Sequence, residues 1–107
     1  MKNEYYKSFF IAGFTYNEGP MIFKKLKVGK ELILKAEPDN CKDENAVAIY
    51  CNEHKIGFVP AEKNYSMSKL LKCGHNPFIA IIQQRNQSEH PERQIRVVVY
   101  VKNLAEN

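Results

Sequence analysis

The 107-residue sequence has no long apolar run. Its apolar stretches, such as Val97 to Val101, are far short of the roughly 20 residues that span a bilayer as a helix. No apolar h-region stands behind Met1-Lys2-Asn3-Glu4, so no secretory leader is visible and a cytoplasmic location is expected. Cysteine is sparse: Cys41, Cys51 and Cys73 are odd in number, and reduced thiols rather than a disulfide framework are expected. The sequence also lacks a Gly-x-x-x-x-Gly-Lys phosphate loop and a nucleophile elbow. With Asp39 and Asp43 as its only aspartates, it has no recognisable two-metal carboxylate set. The expectation is a chain without catalytic chemistry and without a cofactor; a small metal-dependent hydrolase is the weakest alternative. Cys51-x-x-His54 and Cys73-x-His75 could supply four zinc ligands on paper, but neither pair has a partner at zinc-site spacing, so no metal is expected.

What is present is an ordinary globular composition, 44% hydrophobic and 26% charged, with a formal net charge of +4. That charge suits a phosphate-bearing partner without requiring one. The length fits one domain over residues 1–107, large enough to bury a core unaided. No repeat or low-complexity tract divides it.

Short β-rich runs separated by turn residues dominate. Ser8 to Phe14 is apolar on both faces and predicts a strand buried on both sides. A polar connector, Thr15 to Pro20, leads to Met21–Phe23 and the basic stretch Lys24-Lys25-Leu26-Lys27, then a turn at Val28-Gly29-Lys30. Glu31 to Glu37 alternates as a half-exposed strand does. Pro38 to Asn45 is a loop of residues whose side chains bond nearby backbone. Ala46–Cys51 and His54–Val59 predict a hairpin about Asn52-Glu53. Met67, Leu70 and Leu71 mark a helix capped by Asn64 or Ser66 and ended at Gly74. Phe78–Gln84 and Gln94–Val101 are the last strands, joined by a polar linker, Arg85 to Glu92, expected to be mobile. The prediction is mainly β with one to two short helices. Closing six strands into a small barrel removes their exposed edges.

One ordered series is distinctive: Gly13-Phe14-Thr15-Tyr16; Leu26, Gly29, Leu32 and Leu34; Glu37-Pro38-Asp39-Asn40; Asp43; Asn45-Ala46-Val47-Ala48-Ile49-Tyr50; and Ile56-Gly57-Phe58-Val59-Pro60. From about Phe9 to Val101 the chain resembles the HIRAN family. The resemblance implies an OB-like barrel. It also implies a nucleic-acid-binding role, with single-stranded DNA or DNA 3′ ends as partner, in repair or replication-fork processing. Any helicase or nuclease activity would belong to another chain. Carried over by position, Tyr16 matches an aromatic residue near the nucleotides, and Asn40 and Asp43 match polar residues of the loop facing the strand end. An aspartate repels phosphate but accepts a hydrogen bond from a terminal hydroxyl, so Asp43 could tell an end from a continuous strand.

The chain departs from the family at three points. Cys41-Lys42 replaces a proline followed by an aromatic residue, so Lys42 offers phosphate attraction in place of stacking. Thr15 stands where eukaryotic members have a basic residue. Pro60-Ala61 occupies the place of a lysine, leaving Lys63 as the nearest cation. Tyr16, Asn40, Lys42, Asp43 and Lys63 are therefore the expected nucleic-acid contacts. Asp39, Asn40, Asp43 and Asn45 equally fit a loop that satisfies its own backbone. Lys24, Lys25, Lys27 and Lys30, Lys69 and Lys72 on the helix, and Arg85, Arg93 and Arg96 equally fit solvated surface, unless several share a groove. A protein adaptor that docks a nuclease or helicase is the alternative function.

Overall fold

A computed structural model describes residues 2–105. Six strands form one antiparallel sheet: β1 (Glu4–Phe10), β2 (Glu31–Ala36), β3 (Val47–Cys51), β4 (His54–Phe58), β5 (Phe78–Arg85) and β6 (Ile95–Val101). Their order is β1-β6-β5-β2-β3-β4. The two outer strands curl toward each other and meet just past β1, where Ala12 and Phe58 exchange two backbone hydrogen bonds of 2.9 Å. This bridge closes the sheet into a barrel. The inward residues of each strand, among them Phe9, Leu32, Leu34, Ile49, Ile56, Ile82, Val97 and Val99, form the core. Among the described residues, no helix is long and apolar enough to cross a membrane.

Closure depends on Gly57. Its φ is 148°, a conformation L side chains rarely adopt, and a Cβ there would lie 2.6 Å from the Ala12 carbonyl oxygen and 2.3 Å from Ile11. Only a residue without a side chain lets β4 approach the end of β1 this closely.

The first strand differs from its sequence reading. It begins at Glu4 and stops at Phe10. Gly13, at φ 68°, then turns the chain into a 3₁₀ turn at Phe14–Tyr16. Phe14 is fully buried, but it enters the core from that turn and not from a strand. The connector that follows is structured too. A kinked 3₁₀ segment, Pro20–Lys25, buries Ile22, and Leu26 beyond it is completely inaccessible. Glu18 N–H donates to the Lys55 carbonyl at 2.9 Å, which lays the connector along β4, where the sheet has no strand neighbour beyond the single bridge. Apolar residues at Ile22, Phe23 and Leu26 thus complete the barrel wall.

The helix α1 (Tyr65–Lys72) lies where its apolar spacing places it, with Met67 in the core. Gly74 N–H bonds the Leu71 carbonyl and His75 N–H the Leu70 carbonyl, the paired closing bonds of a Schellman end. Asn64 occupies the N-cap position, but its side chain makes no cap bond. The last linker is also more ordered than its polarity suggests. Pro91–Arg93 forms a 3₁₀ turn, and Gln94 Nε2 donates to the carbonyls of Gln87 and Glu89.

Candidate nucleic-acid interface

The loop between β2 and β3 folds on itself. Its two ends pair through Glu37 N–H and the Ala46 carbonyl at 2.8 Å. Asn40 Oδ1 accepts from the amides of Lys42 (2.9 Å) and Asp43 (3.2 Å), while its Nδ2 donates to Glu37 Oε1 at 3.1 Å. Asp43 Oδ1 accepts from the Asn45 amide at 2.8 Å. Its other oxygen, Oδ2, accepts from Nδ2 of Asn64 at 2.9 Å. Asn64 is only 3% exposed, so the amide that fails to cap α1 instead ties the helix to the loop. Turn-forming side chains therefore hold this loop, and its exposed residues are Pro38, Asp39, Cys41, Lys42 and Glu44.

Glu37 anchors the same loop to the barrel. Its Oε2 meets Lys55 Nζ at 2.6 Å. Burial works against ionisation of this carboxyl, but the hydrogen bonds from Lys55 and Asn40 and the Lys55 charge outweigh it and hold the group below the usual glutamate range. Lys55 also sits 5.0 Å from the centre of the Phe58 ring, which fixes that ring at the cleft floor.

Two adjoining concavities open above Phe58. One, of about 430 Å³, is bounded by Tyr16, Asn17, Asn40, Cys41, Lys42 and Phe58. The other, of about 210 Å³, lies between Ala12, Asn40, Lys42, Asp43, Phe58 and Ala61. The Tyr16 side chain is 90% exposed at the end of its 3₁₀ turn, opposite to the buried Phe14. The structure thus brings Tyr16, Asn40, Lys42 and Asp43 around one composite cleft. Lys63 does not line it: this residue lies two positions beyond Ala61, and its carbonyl accepts from Lys7 Nζ at 2.8 Å. Lys42 is the only cation lining the cleft among the described residues.

Sequence reasoning had not placed Phe58 among the site residues. No local signal marks it: Ile56, Gly57 and Val59 are buried in the structure, and the aromatic residue between them is left half-buried and facing the cleft. Its floor position follows from the bridge to Ala12. The first of the two zinc-like pairs has other surroundings. Cys51 is in the core, and His54 Nδ1 is 3.1 Å from Glu18.

No curated protein matches the chain in sequence. Among solved structures, a protein from Lactobacillus plantarum is similar over 94% of this chain and 95% of its own, with 19% identity and a TM-score of 0.78. The HIRAN domain of human HLTF is similar over 91% of this chain and 76% of its own, with 13% identity and a TM-score of 0.64. Identities this low establish a shared fold. The HIRAN domain family itself matches residues 5–102, nearly the whole chain. The chain therefore belongs to the HIRAN domain family, whose members are nucleic-acid-binding modules.

Proposed function

We propose that this domain binds single-stranded DNA, with a free 3′ terminus held in the cleft between Tyr16 and the Asn40–Asp43 loop, and that it does so without chemistry of its own. The observation that carries the reading is the Tyr16 ring, almost fully exposed yet set beside Lys42 and above the Phe58 floor. An exposed aromatic face costs solvation unless something stacks on it, and base stacking contributes about 1–3 kcal/mol per base. Lys42 supplies the charge for a neighbouring phosphate. Asp43 already accepts two hydrogen bonds, but a carboxylate has about four lone-pair positions, and those facing the cleft can accept from a terminal hydroxyl. A 3′ phosphate at that point meets a like charge.

On this reading the module delivers strand ends to a helicase or nuclease on another chain, in repair or fork processing. Fluorescence anisotropy with oligonucleotides carrying a 3′ hydroxyl or a 3′ phosphate tests it. The hydroxyl form should bind more tightly, and Tyr16→Ala should weaken it by roughly five- to a hundredfold, the equivalent of one stacked base. Equal affinity for both ends, or no loss in Tyr16→Ala, would refute end capture.

A further inference from the structure

A third concavity, of about 810 Å³, opens beside the connector. Lys24, Lys25, Arg85 and His54 contribute to its lining along with Met21 and Phe23, and no aspartate or glutamate does. In sequence these polar residues are far apart, on the basic stretch, the end of β5 and the start of β4. The fold collects them. Met21 is 68% exposed, so the wall beside the charges is partly apolar.

Arg85 sits over the Phe23 ring, its guanidinium carbon 4.3 Å from the ring centre. Its hydrogen-bonding capacity is little used. Nη2 makes one long contact, 3.5 Å to the Phe23 carbonyl, and Nε has no partner. The cation–π contact already restrains the guanidinium, so ligand binding has less of its freedom to remove. Carboxylates do approach His54 from outside this lining: Glu18 at 3.1 Å and Glu53 at 3.6 Å. They leave Lys24, Lys25 and Arg85 without an acidic partner among the described residues.

We infer that this concavity carries the phosphodiester backbone of a single strand whose terminus lies in the Tyr16 cleft. The inference rests on the nucleic-acid reading above and extends it from an end site to a track. The placement favours a polynucleotide over a small anion. His54 and Phe58, one in each site, stand four residues apart on β4, about 13 Å at strand rise. The connector walls both sites, with Tyr16 and Asn17 at one and Pro20 to Lys25 at the other. A strand leaving the cleft along the connector therefore reaches three cations in succession. The cleft's single lysine gives little charge for holding a polyanion, and this surface supplies what it lacks.

Binding of thymidine dinucleotide and of a long oligothymidylate to the full chain, each across a salt series, tests the inference, with the dinucleotide followed by NMR. In wild type the long strand should bind more tightly. Lys24→Ala/Lys25→Ala should weaken only the long strand and flatten its slope of log K against log salt by about 0.7 per lysine. Arg85→Gln, checked for an unchanged melting temperature, should act in the same direction. Unchanged binding of the long strand, or equal loss for both ligands, would overturn the track and leave the end site standing. Failure of wild type to bind either ligand would remove both readings. Loss of binding to phosphatidylserine vesicles in the double variant, with oligothymidylate binding intact, would assign the surface to a membrane and overturn the inference.

Discussion

Asp43 gives its two carboxylate oxygens to different parts of the chain, one to the amide of Asn45 in its own loop and one to the buried side chain of Asn64. Removing it strands a buried amide donor, which costs about 1–3 kcal/mol. Asp43→Ala should therefore lower the urea midpoint by a corresponding amount with little change in the denaturant slope. A midpoint equal to wild type would mean that the loop does not need this clamp. Tyr16 is the opposite case. Its side chain is exposed and has no hydrogen bond among the described residues, so Tyr16→Ala should leave folding stability within about 0.5 kcal/mol of wild type. Residues that look alike in a sequence motif thus divide into those whose side chains hold the cleft's shape and those left exposed at its rim.

Among the elements, the connector between the Phe14–Tyr16 turn and β2 has the largest structural role for its modest secondary structure. The barrel is joined across β1 and β4 by a single bridge, and the connector covers the gap with Ile22, Phe23 and Leu26. A surface linker would tolerate truncation within about 0.5 kcal/mol. Leu26→Ala should instead cost about 2–5 kcal/mol, the usual loss for a fully buried leucine. Thermal or urea unfolding measures this directly, and a near-neutral result would show that the barrel closes without the connector. Because the connector contributes Asn17 to the Tyr16 cleft and Pro20 to Lys25 to the basic concavity, its packing sets the walls of both. The β2–β3 loop reaches a comparable rigidity by a different route, through polar bonds within itself and the Glu37–Lys55 pair.

For the molecule as a whole, that ion pair links loop, barrel and cleft floor and gives stability a pH dependence. The lowered pKa of Glu37 in the folded state means that its contribution is present above the unfolded value near 4.5 and is lost as pH falls through the lower folded value. With both partners partly exposed, at 31% and 24%, the contribution at neutral pH is no more than about 1 kcal/mol. Glu37→Gln should unfold with a shallower loss of stability below about pH 4.5 than wild type. Parallel acid-unfolding curves for the two proteins would show that Glu37 is not depressed. The charge distribution matters at the same scale. A net charge of +4 is modest, yet Lys24, Lys25 and Arg85 gather in one acid-free concavity.

The sequence by itself determined the mainly β class, five strands and the helix to within a residue or two, and the turn chemistry of the Asn40–Asp43 loop. These follow from local physics: side-chain alternation, helical spacing, and polar side chains that bond backbone a few residues away. Its ordered motif series also pointed to the HIRAN family. Burial alone could not say whether Phe14 reached the core from a strand or a turn, since both satisfy the same apolar pattern. Tertiary structure alone decided that Asn64 would spend its amide on Asp43, that Phe58 would floor the cleft, and that Arg85 would join Lys24 and Lys25. Each of these depends on residues distant in the chain meeting when Ala12 and Gly57–Phe58 close the barrel, and no local rule encodes that contact.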